Sequence, residues 1–175
     1  MPDYRRLHVK GACWFFTVNL QQRQQTLLID EIYLLKLCIK QVHQLQPFTI
    51  NAWVILPEHM HCLWTLPDGD EDYSGRWRAI KKAFSRALAS TEYRTASQLQ
   101  RGERGIWQRR FWEHQIRDDA DYLRHLDYIH QNPLKHGWVT RVQDWPYSTF
   151  HRYVAQGYYA LDWCGDTNMS IHGDA

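Results

Sequence analysis

Apolar positions along this chain alternate between two periods, and each switch marks an element. Ala12-Cys13-Trp14-Phe15-Phe16-Thr17-Val18-Asn19-Leu20 is dense in aromatic and β-branched residues and predicts a first strand. The glutamine-rich stretch at 21–25 is a connection. From Asp30, which reads as an N-cap, Ile32, Leu35, Ile39 and Val42 recur at helical spacing with Leu34 and Cys38 beside them, ending before Pro47. Phe48 to Leu56 is a second strand, Pro57-Glu58 turns the chain, and His59 to Leu66 is a third, antiparallel to the second. A turn at Pro67-Asp68-Gly69-Asp70 leads into a helix from about Asp72 to Ser90, with Trp77, Ile80, Phe84 and Leu88 on one face. Residues 91–105, with Ser97, Gly102 and Gly105, predict a mobile loop, and Phe111 to Ile116 a fourth strand. Asp118 caps a third helix that runs to about Asn132 and is stopped by Pro133. A short helix around 148–156 and an irregular tail close the chain.

That order predicts an α+β fold: a ferredoxin-like βαββαβ antiparallel sheet with helices on one face, plus an added C-terminal helix. The expected division is one domain over 1–156 and a tail over 157–175. At 175 residues and 44% hydrophobic content, the chain can bury a real core, which excludes a disordered protein. Cys13, Cys38, Cys62 and Cys164 form no C-x-x-C pair, which argues against a zinc finger or a disulfide framework and fits a reducing cytoplasm. No stretch approaches the roughly 18 apolar residues of a membrane span, and the polar amino terminus has no secretory core. A soluble, cytoplasmic protein is expected.

Net charge is only +2, but it is unevenly spread. Residues 76–110 hold ten Lys or Arg against Glu92 and Glu103, a local +8, while the rest of the chain carries −6. A basic region in a near-neutral protein suggests a polyanion surface, although many charge runs are only solvated helix faces. Nine tryptophans and ten tyrosines favour nucleic acid, because rings and guanidinium groups stack on unpaired bases.

Candidate chemistry centres on Pro57-Glu58-His59-Met60-His61-Cys62. On a strand, His59 and His61 point to the same side with Cα atoms roughly 6.6 Å apart, close enough to share a metal ion. A chance pair without a metal explains the motif about equally well. Cys62 points the other way and is expected to pack. On the third helix, Tyr122, Leu123, Leu126 and Ile129 make the expected buried stripe. Tyr128 lies about 200° from Leu126, on a polar face shared with Asp121, His125 and Asn132, so a plain surface tyrosine is the competing reading.

Taken together, the motifs resemble a known group. Asn51-Ala52-Trp53-Val54-Ile55-Leu56-Pro57-Glu58-His59-Met60-His61, Phe111-Trp112-Glu113-His114, and Asp127-Tyr128-Ile129-His130-Gln131-Asn132-Pro133-Leu134-Lys135-His136-Gly137 resemble the REP-associated tyrosine transposases. These are bacterial relatives of the single-tyrosine insertion-sequence transposases in the HUH endonuclease class. The likeness runs from Tyr4-Arg5-Arg6 through Trp145-Pro146-Tyr147-Ser148. It implies a ferredoxin-like, monomeric enzyme that binds hairpins of repetitive extragenic palindromes and cleaves single-stranded DNA. Tyr128 takes the place of the nucleophile, and His59, His61 and Asn132 those of the metal ligands. Related enzymes often carry glutamine where Asn132 stands. The implied cofactor is Mg2+ or Mn2+, although imidazoles also suit zinc.

With such an ion as Lewis acid and template, the tyrosine would displace the 3′-oxygen and hold the 5′-phosphate covalently. The bond energy is kept in the adduct, so a second strand end can be joined. Arg78, Lys81, Lys82 and Arg86 would contact duplex phosphates. Tyr4, Arg5 and Arg6 would meet the single-stranded flank, unless that arm is a frayed terminus. His114 and His125 are expected near the site but outside the metal shell, and His130 and His136 in structural or helix-end roles. Two other readings stay open: a structured-nucleic-acid-binding module without turnover, and a zinc hydrolase that uses water.

Overall fold

In the computed structural model, which describes residues 6–166 and 168–171, strand β1 (Cys13–Asn19) sends alternate side chains to two different cores. Trp14, Phe16 and Val18 enter one, while Phe15 enters the other. With β2 (Thr49–Ile55), β3 (His59–Thr65) and β4 (Trp112–Gln115) it forms one antiparallel sheet in the order β2-β3-β1-β4. That is the ferredoxin-like arrangement expected from the sequence, with the histidine strand in the centre. Tyr4 and Arg5 lie outside the described residues.

Helices α1 (Leu27–Asp30), α2 (Ile32–Leu45) and α3 (Tyr73–Ala87) supply the first core, where Leu28, Leu35, Ile39, Trp77, Ile80 and Phe84 meet Phe16, Cys62 and Trp64. Cys62 is buried there, opposite the histidines, as packing. The short α4 (Ala96–Gln100) precedes β4, and α5 (Asp119–Lys135) covers the other side of the sheet, placing Leu126, Tyr128 and Ile129 against Phe15, Val54 and Leu63. A 3-10 turn (Val142–Asp144) and α6 (Phe150–Ala155) follow. The outer edge of β2 is not bare. Ile55 N–H donates to the Tyr147 carbonyl at 2.8 Å and Thr149 N–H to the Trp53 carbonyl at 3.0 Å, which blunts an edge that could otherwise pair with another chain. No helix among the described residues is long and apolar enough to cross a membrane.

Four local expectations change. Asp30 is not a cap: it ends α1 and accepts a 2.7 Å bond from the Thr26 hydroxyl. The loop at 91–105 contains α4 with a full Thr95–Gln98 capping box, and Arg104 staples it through two bonds to Glu92 (2.5 and 2.6 Å) and others to the Leu88 and Ala89 carbonyls. Pro133 does not stop the third helix, which runs to Lys135. The real stop is Gly137 at φ 72°, whose N–H bonds back to Leu134 while Trp138 N–H bonds to Pro133, a Schellman closure that needs a left-handed residue. Leu123, expected in the buried stripe, is 50% exposed. The arc buried on α5 is rotated toward its polar residues, because the sheet histidines and the segment after α6 both pack on it.

The described residues beyond Gly157 form neither helix nor strand, yet Tyr159, Met169 and Ile171 pack on the second core. Their best-tied point is a buried chain of bonds. Tyr159 donates to Asp127 at 2.6 Å, its oxygen lies 3.3 Å from His130 Nδ1, and His130 Nε2 lies 2.8 Å from the Thr149 hydroxyl. Burial, helped by the charge of Arg152, pushes the His130 imidazole down to about 3. In the unfolded chain its value returns to about 6.5, so below that pH the unfolded state binds the extra proton. The stabilisation is therefore whole above about pH 6.5 and is lost on acidification toward pH 3, with a limiting slope of about 1.4 kcal/mol per pH unit. Urea unfolding of wild type and His130→Gln between pH 7 and pH 4 should show the steeper loss in wild type; equal slopes would mean that His130 is not buried neutral.

Candidate active site

Strand register builds the base of the site. His61 sits opposite Thr17 and His59 opposite Asn19 on β1. Both imidazoles are buried, with ring centroids 4.9 Å apart. Each has Nδ1 occupied: His61 by the Thr17 hydroxyl at 2.9 Å, His59 by the Glu58 carboxylate at 2.9 Å. Holding one ring nitrogen this way fixes the ring and offers Nε2, as metal-binding histidines generally do. Burial raises the Glu58 carboxyl, but the bond and charge of His59 and the charge of Arg23, 3.8 Å away, outweigh it and hold it below the usual range.

Helix α5 brings the second half. Asp121, His125, Tyr128, Asn132 and Lys135 follow one another at spacings of four or three, so one stripe carries them all. The stripe is not the solvated face expected from its polarity. Tyr128 and Asn132 are both 0% exposed, and the Tyr128 ring lies 5.2 Å from His61 and 6.1 Å from Phe15. Counting only apolar positions misplaced the buried side. Lys135 Nζ lies 4.9 Å above the Tyr128 ring and donates to the Met169 carbonyl at 3.2 Å.

Unsatisfied polar atoms of several kinds gather at this junction, whereas those of the first core are mostly indole N–H groups, at Trp14, Trp64 and Trp77. The Tyr128 hydroxyl, both amide atoms of Asn132, His61 Nε2 and Asn19 Oδ1 are buried with no hydrogen-bond partner among the described residues. Buried polar atoms are nearly always paired, and each orphan costs about 1–3 kcal/mol. The imidazole of His61 is pushed well below its ordinary value by burial, then by the positive charges of His59, His136, Lys135 and Arg23. It is thus neutral at physiological pH, the form that binds a metal. Two imidazoles aimed by their Nδ1 partners, plus an orphaned amide oxygen, fit a divalent ion.

The predicted DNA contacts separate into two groups. Arg78, Lys82 and Arg86 are exposed on α3 and line a groove of about 620 Å³ with Arg101 and Arg109. Lys81 turns inward, donating to the Gln108 carbonyl at 3.0 Å beside the Trp107 and Phe111 rings. Burial, then the charge of Arg6, lowers its ammonium to about 8. Arg6 stacks 4.0 Å over Phe111 and pairs with Glu113 at 3.2 Å. Arg76, counted in the basic run, is buried structure: it bonds bidentately to Asp70 and to the Gln46, Pro47 and Asp72 carbonyls.

Sequence reading missed Thr17, Glu58, Asn19 and Lys135. Thr17 and Asn19 become visible only through the β1–β3 register. Lys135 was within reach, seven residues after Tyr128 and hence on its face.

No family model matches the chain. A REP-associated tyrosine transposase of Escherichia coli strain K12 is 54% identical over 174 residues, covering 99% of this chain and 98% of the relative. A Haemophilus influenzae protein, provisionally given the same name, is 46% identical over 176 residues, covering 99% of each. A solved structure of a REP-associated tyrosine transposase bound to a REP hairpin superposes with a TM-score of 0.86 at 51% identity, covering 100% of this chain and 98% of that one.

The orphaned amide gives a test that needs no DNA. Asn132→Leu keeps the branched shape and removes two unpaired atoms worth about 1–3 kcal/mol each. Because the bulkier methyl groups offset part of that, it should raise thermal stability by about 1–3 kcal/mol net, some 2–4 °C per kcal/mol at this size. A lowered melting temperature would mean that the amide is satisfied.

Proposed function

This chain belongs to the REP-associated tyrosine transposases, and on that footing we propose that it binds REP-type DNA hairpins and breaks and rejoins single strands through Tyr128. The observation that carries the reading is the Tyr128 ring packed on His61, among buried polar groups that lack partners. A folded protein has no use for such a cluster unless something else completes it.

His59, His61 and Asn132 would hold a divalent ion, Mg2+ or Mn2+, which supplies Lewis-acid polarisation and orientation of the scissile phosphate. Glu58 and Thr17 keep the two imidazoles aimed. The Tyr128 phenol gives up its proton, its oxygen bonds to phosphorus, and the P–O3′ bond breaks. The 3′-oxygen takes up a proton and leaves as a hydroxyl, while the 5′-phosphate stays on the tyrosine. Lys135, over the ring, favours the phenolate electrostatically. Because no water consumes the adduct, the step runs backward with another 3′-hydroxyl.

The duplex stem is assigned to Arg78, Lys82 and Arg86, with Lys81 supporting the groove from inside. These cations stand on the opposite face of the sheet from Tyr128. Edge strand β4 joins the faces: Glu113, with Arg6, looks toward the α3 side, while Trp112 and His114 look toward α5. A single-stranded flank leaving the stem would cross that edge, past Arg6 and the two rings. Tyr4 and Arg5 are assigned to the same single-stranded flank. The protein is expected to act as a cytoplasmic monomer, with the domain over 1–156 carrying all of these groups.

A labelled hairpin with a single-stranded flank, mixed with the protein and manganese and run on a denaturing gel, should give a protein–DNA adduct that is absent in Tyr128→Phe. Tight binding without an adduct would make this a binding module. Cleavage without an adduct, surviving Tyr128→Phe, would make it a water-using hydrolase. For the groove, Arg78→Ala, Lys82→Ala and Arg86→Ala should each weaken hairpin binding whatever the stem sequence and lower the slope of log K against log salt by about 1. Unchanged slopes would move the stem elsewhere.

A further inference from the structure

Beside the site just described, and unused by it, lies a second group of metal-competent side chains. Asp121 and His125 stand one turn apart on α5, and His114 reaches them from β4. Their donor atoms all lie within 4.8 Å of one another. His114 Nε2 is 2.8 Å from Asp121 Oδ2, His125 Nδ1 is 3.2 Å from Asp121 Oδ1, and the two rings stack at 4.7 Å. Among the described residues this is the one such trio of histidine, cysteine and acidic groups.

We propose that His114, Asp121 and His125 form a second divalent-cation site, suited to zinc, that clamps edge strand β4 to the first turns of α5. The donor set decides the metal class. Two imidazoles and one carboxylate suit zinc, with a fourth position left to water or an anion. Donors around a tetrahedral zinc stand about 3.3–3.5 Å apart, so the His114–Asp121 spacing must open by about half an ångström. The donors, now within 4.8 Å of one another, must settle around one ion, and His125 Nδ1 must release its 2.8 Å bond to the Asp121 carbonyl. Asp121 and His125 are buried and His114 is partly exposed, so the trio has preset geometry and an entry side. That side opens on a cavity of about 300 Å³ lined also by Arg117, Arg124 and Ser170. Arg124 is only loosely engaged, 3.4 Å from Asp121, and can turn toward an anion in the fourth position. The Arg117 backbone N–H, 3.1 Å from Asp121, supplies the outer support that metal-bound carboxylates usually have.

The clamp bears on the main site through packing. His125 lies 4.8 Å from Phe15, and Phe15 lies 5.5 Å from His61 on its other side. Tyr128 follows Asp121 by seven residues, about 10.5 Å along the helix axis. Fixing the start of α5 against β4 therefore fixes the register of the helix over the histidine pair.

Zinc binding by untagged protein, measured by calorimetry and by the visible spectrum of the cobalt-substituted form, separates the two sites. In a His59→Ala/His61→Ala background the proposal expects about one zinc per chain to remain, with a four-coordinate cobalt spectrum. Adding His114→Gln, which keeps a side-chain amide near Asp121 but removes the ligand, should abolish it. Loss of all zinc binding in the His59→Ala/His61→Ala protein overturns the proposal, as does binding that persists with His114→Gln. If the combined variant fails to fold, His114→Gln alone decides: its zinc stoichiometry must fall by about one from wild type, and an unchanged value overturns the proposal.

Discussion

The contact between the Tyr128 ring and His61 constrains everything else in this molecule. It requires α5 to lie flat on one face of the sheet with a polar stripe inward, where an amphipathic helix would normally put leucines. Orphaned atoms at Tyr128, Asn132, His61 and Asn19 make that seam locally unfavourable. The helix is kept there by its neighbours. Leu126 and Ile129 lie on the adjoining stripe against Val54 and Leu63, and Trp145 donates to the Ile55 carbonyl at 3.0 Å from the flank. Apolar burial on one stripe thus offsets the polar strain on the next.

The sheet divides the work. Its α2/α3 face is a conventional aromatic core, with Trp64 stacked on Trp77 at 4.2 Å and Phe48 4.3 Å from Trp64. That face leaves the Trp14, Trp64 and Trp77 indole N–H groups unpaired, yet its close aromatic packing holds the β1–β3 register. The opposite face has its own apolar core, with Phe15 stacked 5.5 Å from His61, but sets the two histidines into it. Period-two alternation is what allows one strand, His59–Thr65, to serve both: Met60, Cys62 and Trp64 go to the α2/α3 face, His59, His61 and Leu63 to the α5 face. A one-residue slip would exchange the two sets, so the packing of Trp64 also sets the aim of His61.

How far the sequence could be read follows from this division. The strands themselves, the shared side of His59 and His61 and the packing role of Cys62 were legible because strand alternation is local. The burial of Tyr128 was not. Helical periodicity separates apolar from polar faces, and it assumes that the polar one meets water. On α5 both neighbouring stripes are buried, and nothing in residues 119–135 alone says so. Pro133 misled for a related reason: a missing N–H near the end of a helix costs one bond, and the stop was written instead in Gly137. The basic run over 76–110 overstated the exposed charge, because Arg76 and Arg104 are consumed by carbonyls and carboxylates. Long-range partners decide such residues, and a charge count cannot see them.

The electrostatics of the seam point the same way as its orphaned atoms. His59, His136, Lys135 and Arg23 all act on His61 with positive sign, and each makes protonation of that ring harder. Lys135 itself is lowered by burial, and His136 by burial and then by His59. A cluster of donors and cations held in low dielectric, with Glu58 already committed to His59, is short of negative charge. In the proposed reaction a phosphate diester would supply the missing negative charge. A cation alone would deepen the deficit. Under the proposed function a metal ion and a phosphate diester would enter this seam together, each making the other's entry less costly, and they would complete the polar atoms left unpaired there.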